Sequence, residues 1–181
     1  MKGLVFTEFL EFVEERFDAD RVDDMIELAA PASEGAYTSV GTYDHHEMLQ
    51  LVGALSELSN IPVPELVRGF GNHLFGRLSI AYPKFMEGAD SSFKFLQNVE
   101  NYIHIEVRKL YPDADLPQFE FEFPTPEQMV LTYHSVRPFA DLAHGMIEGS
   151  IAHFGEKIAI EREDLSPESG YTTRFVLTQE C

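Results

Sequence analysis

Tryptophan is missing and cysteine nearly so: the 181 residues carry no Trp and one Cys, Cys181, at the last position. A lone thiol forms no intrachain disulfide and builds no cysteine-rich zinc site, so the chain fits a reducing compartment. Cations are scarce as well, 13 Lys plus Arg against 31 Asp plus Glu, for a formal net charge of −18. Such a surface repels phosphate backbones and anionic lipid headgroups, so neither nucleic acid nor a membrane is expected as a partner. No apolar run approaches the ~18 residues that a spanning helix needs. The start, Met1-Lys2-Gly3-Leu4, leads into a stretch rich in Glu and Phe without a signal-peptide apolar run, and a cytoplasmic location is expected. A Gly-x-Ser-x-Gly elbow, a phosphate-cradling glycine loop and a His-Glu-x-x-His zinc motif are all wanting, so the sequence points away from an enzyme.

What the chain has is aromatic and helical. Fifteen Phe and seven Tyr in a composition that is 44% hydrophobic suffice for one domain with a sizeable core, here residues 1–181. Leu4, Val5, Phe9, Phe12, Val13 and Phe17 repeat at helical spacing between glutamates, which predicts an amphipathic helix from Leu4 to Phe17. A shorter helix follows from about Arg21 to Ala29, then a loop from Ala32 to Tyr43. Asp44 and Glu47 have capping-box spacing ahead of a helix that ends at Asn60. Pro64 near its start and Pro83 beyond its end bracket the next apolar stripe, Leu66 to Leu78. Ser91 or Ser92 caps a helix that runs through Phe93, Leu96, Val99, Ile103, Val107 and Leu110 and stops before Pro112. Beyond it the period changes. Phe119 to Phe123 alternates, Met129 to Tyr133, Lys157 to Glu163 and Thr172 to Thr178 read as strands, and Ala140 to Phe154 reads as a helix. Helices first and strands later predict an α+β domain with an antiparallel sheet packed against the helix that carries His104.

Two features carry chemistry. Tyr133-x-Ser135-x-Arg137 gathers three donors on one short stretch, and a guanidinium forks bidentately onto carboxylates such as the two haem propionates. His104, on the edge of an apolar helix face, is an imidazole of the type that serves as a haem axial ligand. The plain alternatives are an ordinary strand end for the first and, for the second, a surface pair with Glu100 four residues earlier. The remaining histidines, His45, His46, His73, His134, His144 and His153, offer no metal-cage spacing, and His45 and His46 are expected to point apart on a helix.

Several short matches in order make the chain resemble the haem nitric oxide/oxygen binding family, H-NOX, which includes the sensor region of soluble guanylate cyclase. They are Met1-Lys2-Gly3, the His104 helix running into Lys109-Leu110-Tyr111, Leu116-Pro117, the Tyr133-Ser135-Arg137 motif and Gly145-Met146-Ile147-Glu148-Gly149. The resemblance implies haem b, with His104 as the iron's axial ligand, Tyr133, Ser135 and Arg137 as the propionate clamp, and Pro117 pressing on the haem and bending it from planarity. It also implies a distal helical part over about 1–60 and a proximal part with the sheet over about 61–181. Relatives that hold oxygen stably place a tyrosine at the fifth position after the motif arginine; here that residue is Leu142. The other distal positions, Val5, Phe9, Leu74, Phe75 and Leu78, are apolar too, and only Tyr37, Tyr43 or Tyr82 swinging inward would supply a hydroxyl. The cysteines of the zinc site that some bacterial relatives carry are wanting.

The expectation is therefore a nitric oxide sensor, with carbon monoxide as a further gas, in which ligand binding weakens the iron–His104 bond and a separate histidine kinase or cyclic-di-nucleotide enzyme reads the change. Rival readings are an oxygen sensor or carrier, a haem-free ligand-binding module and, third, a haem enzyme of peroxidase type.

Overall fold

A computed structural model describes residues 1–165 and 170–180; Cys181 lies outside the described residues. The chain begins with α1 (Gly3–Arg16), α2 (Ala19–Ala29), α3 (His45–Ser59) and α4 (Val63–Ala81). A 3-10 turn, Pro83–Met86, leads to α5 (Ser92–Asn98), a π-helical segment (Val99–Ile103) and α6 (His104–Leu110). Then come β1 (Gln118–Thr125), β2 (Gln128–Ser135), α7 (Ala140–Phe154), β3 (Ile158–Leu165) and β4 (Tyr171–Gln179). The strands form an antiparallel sheet in the order β1-β2-β4-β3. No described helix is long and apolar enough to cross a membrane.

The α+β order and most boundaries match the apolar periodicities, and three local differences have physical causes. First, α2 starts earlier than Arg21, because Asp18 accepts a bond from the Arg21 amide at 2.8 Å and so caps the first turn. Second, Asp44 caps α3 through the His46 amide at 3.0 Å instead of closing a capping box with Glu47. The Glu47 carboxylate turns into the 32–43 loop, where it accepts from the Ser33 amide at 3.2 Å and the Tyr37 hydroxyl at 3.0 Å. Third, the long helix expected from Ser91 to Leu110 is interrupted by the π-helical segment just ahead of His104. Ser91 is its cap, accepting from the Lys94 amide.

Two apolar cores result. Phe6, Phe9, Val13, Met48, Leu51, Leu55, Leu66, Phe70 and Leu74 form one among α1 to α4. Phe75, Phe93, Phe95, Leu96, Met129, Leu131, Tyr133, Ile147, Phe175 and Leu177 form the other between helices and sheet. Helix α4 serves both, since Leu74 and Phe75 are neighbours in sequence and consecutive helical residues point about 100° apart. Helices α4 and α7 cross in close contact because Gly71 and Gly145 present no side chain there. A Cβ on Gly145 would stand 1.9 Å from the Arg68 carbonyl oxygen, and one on Gly71 would stand 2.3 Å from that of Leu142. The 32–43 loop caps α1, with the Gly3 amide donating to the Gly41 carbonyl at 2.9 Å and the Leu4 amide to that of Ser39 at 3.0 Å.

Candidate functional site

His104 opens α6 directly after the π-helical segment and is 8% exposed. Its Nδ1 lies 3.1 Å from the Glu100 carboxylate, so the ring's hydrogen bond runs through Nδ1 and leaves Nε2 for a ligand. Burial pushes the imidazole pKa below its ordinary value against the opposing pull of Glu100, so the ring is neutral at neutral pH. A neutral imidazole is the form that ligates iron.

Phe119 of β1 joins this ring to the rest of the motif: its ring centroid is 5.7 Å from that of His104 and 5.7 Å from that of Tyr133. Tyr133 and Ser135 lie two apart near the end of β2 and therefore share a face of the strand. Tyr133 is buried, and burial pushes its phenol pKa up against the lowering influence of Ser135 and the Arg137 charge. Ser135 Oγ accepts from the Arg137 amide at 3.0 Å, and the guanidinium meets Asp115 at 3.0 Å. Asp115 precedes half-buried Pro117, so Arg137 ties the Pro117 segment to the end of β2.

The Arg137 charge also bears on the Met1 amine and on His45, both of whose pKa values are lowered, chiefly by burial. The Met1 amine donates to the Tyr43 carbonyl at 2.7 Å. The Arg137 guanidinium thus acts on both the Met1 amine and the Tyr133 phenol, and Phe119 bridges Tyr133 to the His104 imidazole. These groups fit haem in chemistry, cations and hydroxyls for its carboxylates and a neutral imidazole for its iron.

Val5 and Leu142 line one void of about 10 Å³ together with Met1, Met48, Val52, Val67, Phe70 and Phe139. Every lining side chain is apolar. Phe9 and Leu74 are buried beside it in the helical core, with Phe9 and Phe70 in edge contact at 5.1 Å, and Leu78 is half-buried. Phe75 faces the other way, edge-on to Phe95 at 5.3 Å in the second core. The three tyrosines that could bring a hydroxyl inward are held elsewhere. Tyr37 donates to Glu47, the Tyr43 hydroxyl accepts from the Thr38 amide at 2.9 Å, and Tyr82 is stacked on Phe85 near the surface.

His45 and His46 do not point apart. Their ring centroids are 4.1 Å apart, and their Nδ1 atoms lie 3.3 and 2.8 Å from the same Asp44 oxygen. With Asp44 they form a group able to hold a metal ion, although the capping role of Asp44 alone accounts for the arrangement. Sequence reasoning passed over Asp115, Phe119, the Met1 amine and Phe139 as site residues, and only Glu100 left a trace, its four-residue spacing from His104.

The haem-NO-binding family model matches residues 2–162 of this chain. The unliganded Fe(II) H-NOX protein from K. algicida is 36% identical, with 99% of this chain and 97% of that one covered and a TM-score of 0.91. The H-NOX from Shewanella woodyi, solved in the Fe(II)CO state, is 41% identical over 99% of this chain and 95% of that one, with a TM-score of 0.84. An S. oneidensis H-NOX in the Fe(II)NO state shares the fold, with a TM-score of 0.90 at 24% identity and 100% of both chains covered. No curated protein sequence matches the chain. The family model matches nearly the whole length and the fold is shared with solved relatives, so the chain belongs to the haem-NO-binding, or H-NOX, family of haem-based gas sensors.

Proposed function

We propose that this H-NOX domain senses nitric oxide, with His104 as the tether whose release carries the signal. The observation behind this reading is the wall around Val5 and Leu142, a small void without a hydrogen-bond donor. Haem bound in this chain would be held through the His104 imidazole and would supply a ferrous iron able to take up a small gas. Oxygen draws negative charge and is held by a donor, whereas nitric oxide is held well without one. Leu142 offers no donor, the Tyr37 hydroxyl donates to Glu47, and the Tyr43 hydroxyl accepts from the Thr38 amide and donates to the Ala36 carbonyl.

In this reading Tyr133, Ser135 and Arg137 hold the propionates, the Met1 amine adds to the cationic rim, and Pro117 presses on the macrocycle. His104 would tie the haem to the start of α6, and loss of that tie would free the π-helical segment and α6 to move relative to β1. A ligand shifts such a pair of arrangements only by binding one better than the other, and here the difference is the His104 bond. The output is a separate signalling protein, a histidine kinase or a cyclic-di-nucleotide enzyme, as the family resemblance implies.

The test is the absorption spectrum of the haem-loaded, reduced chain, split between air and nitric oxide. A spectrum that stays put in air and moves with nitric oxide to that of a histidine-free iron supports the reading. A reversible change in air sinks it, as does a His104→Ala chain with an unaltered spectrum and an unaltered response.

A further inference from the structure

Glu100 and Arg108 are the charged groups that act on the His104 ring among the described residues. One oxygen of the Glu100 carboxylate lies 3.1 Å from His104 Nδ1, and the other faces the Arg108 guanidinium at 3.9 Å. The three side chains stand at i, i+4 and i+8. Glu100 belongs to the π-helical segment, where the His104 amide bonds to the Val99 carbonyl five residues back. The His104 side chain is 10% exposed and that of Glu100 is 26% exposed. This is therefore not the surface ion pair that the spacing alone allows, because the imidazole is buried and the carboxylate largely so. A neutral ring beside a carboxylate donates from Nδ1, which fixes the tautomer and turns the Nε2 lone pair outward.

The geometry points to Glu100 as the positioning residue of His104. Its carboxylate holds Nδ1–H, sets the angle of the ring and makes Nε2 a more basic ligand, while Arg108 draws on the same carboxylate and limits that pull. A carboxylate behind a ligating imidazole raises its basicity, and a buried charge-assisted bond is stronger than a neutral one. This rests on His104 being the haem ligand. Its consequence is that Glu100 sets how firmly His104 holds, and so how readily nitric oxide frees it.

Two measurements test it. Without haem, imidazole-nitrogen NMR should show the His104 ring wholly as the Nδ1–H form in the parent chain and as a mixture in Glu100→Ala; an unmixed ring in that variant overturns the proposal. With haem, Glu100→Gln keeps the side-chain shape and a neutral acceptor. It should shift the haem midpoint potential upward and speed nitric oxide-driven release of His104 by about fivefold, the difference between a charged and a neutral hydrogen bond. Arg108→Gln should shift the potential downward. Potentials that do not move, or that move the same way in both variants, overturn the proposal while leaving the haem reading intact. A parent chain that takes up no haem overturns the proposed function, and the tautomer measurement then still decides whether Glu100 positions the ring.

Discussion

A single hydroxyl separates two chemistries at Leu142. The side chain shares an apolar void with Val5, so a phenol placed there meets no competing acceptor among the lining groups. Leu142→Tyr is therefore expected to give a reduced, haem-loaded protein whose spectrum changes reversibly in air. A hydrogen bond to a charged group contributes about 1.5–3 kcal/mol, so oxygen affinity should rise at least about tenfold. Oxygen titration of the reduced protein checks this, and no change in affinity would place Leu142 away from the gas. Arg137 carries a different expectation. Its partner Asp115 is 53% exposed, so Arg137→Gln should cost the haem-free protein less than about 1 kcal/mol in urea unfolding. Haem transfer to an acceptor protein should nonetheless be faster by about tenfold or more, because a bidentate charged clamp is lost. That Tyr133 and Ser135 share a face, and that Glu100 and His104 can meet, was legible in the sequence, because spacing along one strand or one helix encodes which side chains are neighbours. Asp115, Phe119 and the Met1 amine were not, since only the folding of distant segments onto one another brings them to the site.

At the scale of elements, helix and strand extents follow from apolar period, and the exceptions show what period omits. The stripe Phe93, Leu96, Val99, Ile103, Val107, Leu110 steps by threes and fours. One extra residue in a π-turn hides within that alternation, so the interruption ahead of His104 was illegible. The capping-box spacing at Asp44 and Glu47 was legible but incomplete, because the 32–43 loop offers Glu47 a hydroxyl and an amide that local sequence does not reveal. The crossing of α4 and α7 was illegible for a related reason: a glycine in a helix reads as a weak position until its neighbour across the interface is known. Gly145→Ala puts a methyl against the Arg68 carbonyl and the Asn72 amide, backbone atoms that cannot turn aside. It should cost about 2–3 kcal/mol in urea unfolding. Gly53→Ala, exposed in the middle of α3 with open space around it, should instead stabilise by about 0.5–1 kcal/mol through reduced backbone freedom. Equal effects from the two substitutions would mean that the α4–α7 contact is looser than these distances require.

For the whole molecule, the net charge of −18 and the buried histidines answer to pH in different ranges. The acidic surface repels itself, and the repulsion eases most as carboxylates take up protons, near pH 4. His104 and His144 act at higher pH. Burial lowers both pKa values; at His144 the charges of Arg68 and Arg162 lower it further while Glu148 and Asp141 oppose. The His144 ring packs 5.4 Å from Phe175, with its Nε2 buried and without a hydrogen-bond partner among the described residues. Above about pH 6.5, the ordinary histidine value, both rings are neutral folded and unfolded, and stability is full. As pH falls below it the unfolded chain binds protons that the folded chain refuses, and stability drops until the folded values are passed. Between pH 7.5 and 5.5 the histidines therefore prevail over the carboxylates, and the urea midpoint of the haem-free protein should be lower at pH 5.5. His144→Leu, which keeps an apolar group against Phe175 and removes one titrating ring, should shrink that difference. A midpoint that rises toward pH 5.5 would mean that relief of charge repulsion already governs there, and that the buried rings contribute little to the acid sensitivity of the fold.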